Sequence, residues 1–220
     1  MITIGAVIGA IGGALSRQAV LRYQHTGAPA STPTRRPGSE RHAPAPGLFE
    51  GLGALLCALF ALQYSPPEVL AYWWLVVAGL ALAYLDWTTQ RLPNVFCLAA
   101  YLGISGFLTV TAAADRDGSS LLRAMTGGLA LAAFLFVVAV ISQEGMGMGD
   151  VKLAAAVGTA LAWPGWTTLI TGTLTALLLA ALAGGLGIAL QRLGPHEHIA
   201  FAPALLTATT ITLLIQPLTS

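Results

Sequence analysis

Val76-Val77-Ala78-Gly79-Leu80-Ala81-Leu82-Ala83-Tyr84-Leu85-Asp86 is an apolar run that ends on a carboxylate. Extended back to Glu68, the segment reaches the length of about 20 mostly apolar residues that an α-helix needs to cross a bilayer. The rest of the chain has the same character. Of 220 residues, 56% are hydrophobic and 9% are charged, with 10 Lys+Arg and 9 Asp+Glu. A soluble domain carries about 25% charged residues. This composition excludes a soluble enzyme, a nucleic-acid-binding domain and a disordered protein. It predicts an all-α, polytopic membrane helix bundle.

Eight candidate membrane helices can be read, at 2–21, 48–64, 68–86, 94–114, 123–142, 150–163, 166–190 and 198–216. The second and sixth are short for a full crossing. Most connections are brief, which favours antiparallel neighbours in one bundle. The exception lies between Tyr23 and Gly47, where Pro29, Pro33, Pro37, Pro44 and Pro46 alternate with Ser, Thr, Arg and His. That composition reads as a flexible linker. The expected organisation is a first transmembrane helix over 1–22, a Pro/Arg-rich cytoplasmic linker over 23–47 and a membrane core over 48–220.

No basic residue precedes the apolar stretch that starts at Met1, so a cleaved secretory signal is not expected. Gly5, Gly9 and Gly13 share one face of the first helix, a spacing that lets another helix approach closely. Cys57 and Cys97 lie in apolar runs and read as small buried hydrophobes. Trp73, Trp74, Trp163 and Trp166 fall near the outer helix ends and read as an interfacial aromatic belt.

The basic residues set the orientation. Arg17, Arg22, Arg35, Arg36, Arg41, Arg91, Lys152 and Arg192 fall on one side of an eight-helix chain, and Arg116 and Arg123 on the other. The richer side is expected to be cytoplasmic, with both termini outside.

Two acidic residues stand apart from those in loops. Asp86 closes one apolar run, and Asp150 opens another, Asp150-Val151-Lys152-Leu153-Ala154-Ala155-Ala156-Val157. Both fall at the cytoplasmic end of a helix. An ionisable group at such a depth is costly and is retained for function. Two carboxylates that approach each other share a proton, so one serves as base to a water while the other donates to a carbonyl. Asp86 and Asp150 are 64 residues apart, and spacing alone does not bring them together. Asp150 opens a helix, where the dipole favours a negative charge, and Asp86 closes one, where it does not. On that ground Asp150 is expected to be the more readily ionised member.

The segment Asp86-Trp87-Thr88-Thr89-Gln90-Arg91-Leu92-Pro93-Asn94 resembles the first aspartate motif of the type IV prepilin peptidases. Gly147-Met148-Gly149-Asp150-Val151-Lys152-Leu153 resembles their second, the GxGD motif with its trailing Lys-Leu. Ile199-Ala200-Phe201-Ala202-Pro203-Ala204-Leu205 is similar to the family's Pro-Phe-Gly-Pro-Phe-Leu segment, with two small-residue departures. The resemblance implies that Asp86 and Asp150 are the catalytic pair. It implies a membrane aspartic endopeptidase that removes the short basic leader of type IV prepilins or pseudopilins at the cytoplasmic face of a prokaryotic plasma membrane. The implied partners are those precursors and membrane lipid, with no nucleic acid and no cofactor. Many family members carry a cytoplasmic domain with two Cys pairs after the first helix, which binds zinc and accompanies N-methylation. Here the Pro-rich linker has no Cys, so methyltransferase activity is not expected.

Gly147 and Gly149 read either as an adaptable loop beside an extended substrate or as a plain turn. Pro93 suits the first turn of a helix, and with Asn94 it is expected to hold the Asp86 loop. Lys152 either contacts substrate or snorkels to the interface, the latter being favoured. His196-Glu197-His198 reads as a solvated turn rather than a metal site. Other readings are a different GxGD intramembrane protease and a small ion-coupled transporter built on Asp86 and Asp150. The Leu92-Pro93-Asn94 element and the Phe201/Pro203 segment weigh against the first. The absence of inverted repeats weighs against the second.

Overall fold

The structure, a computed structural model, describes residues 1–26, 47–89, 92–142, 147–189 and 201–216. Among the described residues there are eight helices and no strand: α1 (Ile2–Thr26), α2 (Leu48–Gln63), α3 (Glu68–Thr89), α4 (Asn94–Asp115), α5 (Gly118–Ser142), α6 (Met148–Ala162), α7 (Trp166–Ala189) and α8 (Ala202–Ile215). Five of them, α1, α3, α4, α5 and α7, are long and apolar enough to cross a membrane, whereas α2 and α8 are shorter apolar helices. The protein is a multi-pass helical membrane protein. The central part of the Pro-rich linker, Arg91, Gly145, Arg192 and the His196-Glu197-His198 turn lie outside the described residues.

The helices alternate in direction. Gly5 faces Cys57, Gly9 faces Gly53 and Gly13 faces Phe49, so α1 and α2 run antiparallel. A Cβ at Gly9 would collide with the Gly53 backbone, and one at Gly13 with the Phe49 carbonyl. The glycine stripe therefore serves the backbone-to-backbone approach expected of it. Ser16 of α1 donates to the Val77 carbonyl of α3 at 2.6 Å, and Val20 packs with Ala81 and Leu85. Gly79 faces Leu206 while Ala202 reaches Asp86, so α8 runs antiparallel to α3.

Differences from the expected boundaries have local causes. The fifth helix starts at Gly118 rather than at 123, because Asp117 caps it: Asp117 Oδ1 accepts the Ser120 N–H at 3.1 Å and the Ser119 hydroxyl at 2.6 Å. Those bonds hold the Asp117 carboxyl down at about 2. Arg123 thereby enters the second turn of α5, where its guanidinium donates to the Ala162 carbonyl at 3.0 Å and to the Trp163 carbonyl. A cation on the last carbonyls of α6 satisfies acceptors that have no partner within that helix. The first helix runs on to Thr26 and the eighth starts at Ala202 rather than at 198.

Burial separates enclosed helices from lipid-facing ones. Along α7, Ile170, Leu174, Leu178, Leu182 and Leu186 recur every four residues and are all exposed, the outward stripe of a helix bathed in lipid. By contrast α3 is the most enclosed of the five spans, with 56% of its apolar window buried. The short, Ala-rich α6 buries an unbroken run from Ala156 to Ala162. Its small side chains let α5 close on it, since Gly127, Gly128 and Gly158 sit in the contact. The two helices that carry the singled-out carboxylates are thus among the most enclosed.

The aromatic belt is corrected in part. Trp166 is 48% exposed and suits the interface, but Trp73 is 4% exposed and donates its indole N–H to the Cys57 carbonyl at 2.8 Å. Trp163 is also buried. Position near a helix end does not reveal which face a tryptophan takes, and α1, α2 and α3 together enclose Trp73.

Candidate active site

Asp86 does not close its helix as expected; α3 continues for another turn to Thr89. Thr88 and Thr89 return their hydroxyls to the carbonyls of Tyr84 and Leu85 at 2.8 and 2.7 Å, which lets two polar residues extend the helix beyond the apolar run. Asp86 is left inside the bundle, 5% exposed. Its Oδ2 accepts the backbone N–H of Ala202 at 3.0 Å. Ala202 is the first residue of α8, so that N–H has no acceptor within its own helix. A carboxylate from α3 caps α8, at the positive end of its dipole. Pro203 follows in the first turn, where its lack of a donor costs nothing.

Asp150 occupies the third position of α6, with Gly147 as N-cap. Its carboxylate turns back towards the Gly147 backbone N–H, the acidic half of a capping box. Asp150 is 7% exposed, and its Oδ1 is buried without a hydrogen-bond partner among the described residues. A buried, unpaired carboxylate oxygen is uncommon and calls for a functional account. Asp150 lies within electrostatic reach of Asp86. The fold brings both carboxylates to the same end of the bundle, a relation that spacing could not establish. The helix-dipole argument for telling the two apart no longer discriminates, because each carboxylate now sits at a helix N-terminus.

The start of α4 lies against the start of α6. Pro93 precedes α4 as its N-cap, in extended conformation. Leu92 covers Gly149, where a Cβ would come within 2.7 Å of the Leu92 Cβ. Gly149 is thus a glycine for close approach. Gly147 differs: its backbone is ordinary extended chain at φ −76°, and an added Cβ would meet nothing nearer than Asp150 Oδ2 at 3.6 Å. The two glycines of the motif should separate on substitution. Gly149→Ala is expected to lower unfolding stability by about 1–3 kcal/mol through overpacking on Leu92, and Gly147→Ala to leave it within about 0.5 kcal/mol. Thermal unfolding of the two variants in detergent checks this.

Asn94 and Lys152 are both exposed, and Lys152 Nζ donates to Asn94 Oδ1 at 2.7 Å. The exposed Lys152 head group thus has a partner in the protein, Asn94, which the sequence reading did not anticipate. Two participants were not singled out from sequence. One is the Ala202 N–H, which no side-chain pattern betrays. The other is Cys97, whose buried thiol lies 3.9 Å from the Gly149 carbonyl and within the field of Lys152, Asp150 and Asp86. Its position one turn beyond Asn94 was the available signal. Among the described residues no group of three His, Cys, Asp or Glu could hold a metal ion.

A bundle of apolar helices that buries two carboxylates at one end defines a particular class of polytopic membrane protein. The chain belongs to the type IV leader peptidase family, whose model matches residues 69–190. It is 33% identical over 182 residues to a prepilin leader peptidase/N-methyltransferase of Aeromonas hydrophila, covering 76% of this chain and 57% of that protein. The protein of the same name from Pseudomonas aeruginosa is 35% identical over 138 residues, 61% of this chain and 46% of its own. That of Neisseria gonorrhoeae is 30% identical over 172 residues, 72% and 53% of the two chains. The chain thus spans about half the length of the curated relatives it matches. No solved structure gives a significant match.

Proposed function

We propose that the chain is a membrane aspartic endopeptidase that removes the short basic leader from type IV prepilin or pseudopilin precursors. The observation that carries this reading is the burial of two carboxylates, Asp86 and Asp150, at one end of the bundle inside family-like motifs, with Asp86 in electrostatic reach of Asp150. One carboxylate takes a proton from water as the water attacks the scissile carbonyl. The other delivers a proton to the carbonyl oxygen. The unpartnered Oδ1 of Asp150 is an acceptor that such a water can use. Gly149, Leu92 and Pro93 pack beside Asp150 at the starts of α4 and α6, Asn94 and Lys152 line the exposed edge, and Gly147 leaves the rim open. The eight-to-two split of basic residues supports a site facing the cytoplasm, across the plasma membrane of a prokaryote. Only the peptidase half of the relatives' name is proposed for this chain, because it holds two cysteines and both are buried within helices.

Leader removal from a purified prepilin by the chain in detergent, read as a mass shift of the precursor, tests the proposal. Cleavage at the end of the leader is expected. A chain that leaves the precursor intact but carries proton-coupled flux in liposomes would instead be an ion-coupled transporter.

A further inference from the structure

Two motif segments far apart in sequence are joined by one side-chain hydrogen bond at their exposed edge. Lys152 stands in the same turn of α6 as Asp150, and Asn94 is the first residue of α4. Below their 2.7 Å bond lie the Leu92–Gly149 contact and the Cys97 thiol directed at the Gly149 carbonyl. The contact is apolar and the thiol is a weak donor. The Lys152–Asn94 bond is therefore the one strong directional link between the starts of the two helices among the described residues. Among the described residues, the Asp150 carboxylate has only the Gly147 end of its own helix to hold it.

We infer that Lys152 and Asn94 form a latch that fixes the start of α6 against α4 and so holds Asp150 in reach of Asp86. They are positioning residues and touch neither water nor scissile bond. This inference rests on the peptidase reading of Asp150. A lysine donor and an amide acceptor suit such a latch. The ammonium has three donors on a long stem and finds its acceptor without demanding exact backbone placement. The amide oxygen accepts without adding a third carboxylate near the pair.

The experiment uses the full chain in detergent. Lys152→Met keeps the stem and removes the donor; Asn94→Leu removes the acceptor. Each is expected to cut kcat about tenfold to hundredfold, the scale of a small misplacement of a catalytic group, with KM within about twofold. Because the two act as one unit, the double variant should lose no more than either single one. Asn94→Asp, which keeps an acceptor, should lose less than Asn94→Leu. A second readout needs no turnover. Cys57 and Cys97 are the only cysteines, and both are buried. In Lys152→Met, alkylation of Cys97 by N-ethylmaleimide should accelerate several-fold while that of Cys57, between α1 and α3, stays at the wild-type rate.

Wild-type kcat and unchanged Cys97 labelling in Lys152→Met overturn the latch. So does a rise in KM at constant kcat, which makes Lys152 a substrate contact, and so does faster labelling of both cysteines, which makes the loss global. A kcat loss with Cys97 still protected also overturns it, placing Lys152 in the chemistry. If the wild type cuts no precursor, the peptidase reading fails by itself and the labelling still decides the latch.

Discussion

Asp150→Asn and Asp86→Asn are each expected to reduce the proposed leader removal by at least about a thousandfold, the scale of losing a positioned acid or base. The substitutions are isosteric, so cavity and overpacking effects stay small. At position 86 the amide oxygen still accepts the Ala202 N–H, which preserves the cap on α8. What disappears is a carboxylate able to exchange a proton with its neighbour. Since each residue needs the other, the double variant should be no worse than the single ones. The rate of precursor cleavage is measured beside thermal unfolding, and the melting temperatures should stay close to wild type. Cleavage above about 1% of the wild-type rate in either variant, against the thousandfold expectation, would remove that residue from the chemistry.

Gly9→Val unfolds the first helical pair. The added Cβ would collide with the Gly53 backbone and approach the Ala54 Cα to 2.8 Å, so the obstacle is chain rather than a side chain that can rotate away. Overpacking costs about 1–3 kcal/mol where neighbours can adjust; against backbone the cost should reach or exceed the upper end. The damage should also travel. Helix α1 holds α3 through the Ser16–Val77 hydrogen bond and the packing of Val20 on Leu85, the residue before Asp86. Tryptophan fluorescence during heating in detergent reads the loss. Gly51→Val is the matched control, because a Cβ at Gly51 meets nothing within 4 Å. Equal melting of the two variants would refute the proposed role of the close approach.

The helices were legible because lipid imposes a single length and a single polarity on every crossing. Boundaries failed where capping chemistry overrode hydropathy: Asp117 began α5 early, and the hydroxyls of Thr88 and Thr89 carried α3 past Asp86. The two carboxylates were legible because charge is scarce, and the motif around each supplied the rest. Their placement at one end of the bundle was not, since it depends on which helices become interior. The Lys152 partner was not legible either, because Asn94 lies 58 residues away. Trp73 was misread because a pattern of positions along one helix does not say what closes over it.

The hydrogen bond from Ala202 to Asp86 bridges 116 residues and comes from the last described helix. A chain is made from its N-terminus, so α3 is in place long before its carboxylate has this backbone donor. Both motif segments and the interior helices precede α8 as well. The order of synthesis therefore leaves the Asp86 carboxylate without this donor until α8 arrives, and a nascent chain that stops short of α8 would carry both aspartates with Asp86 lacking its backbone partner.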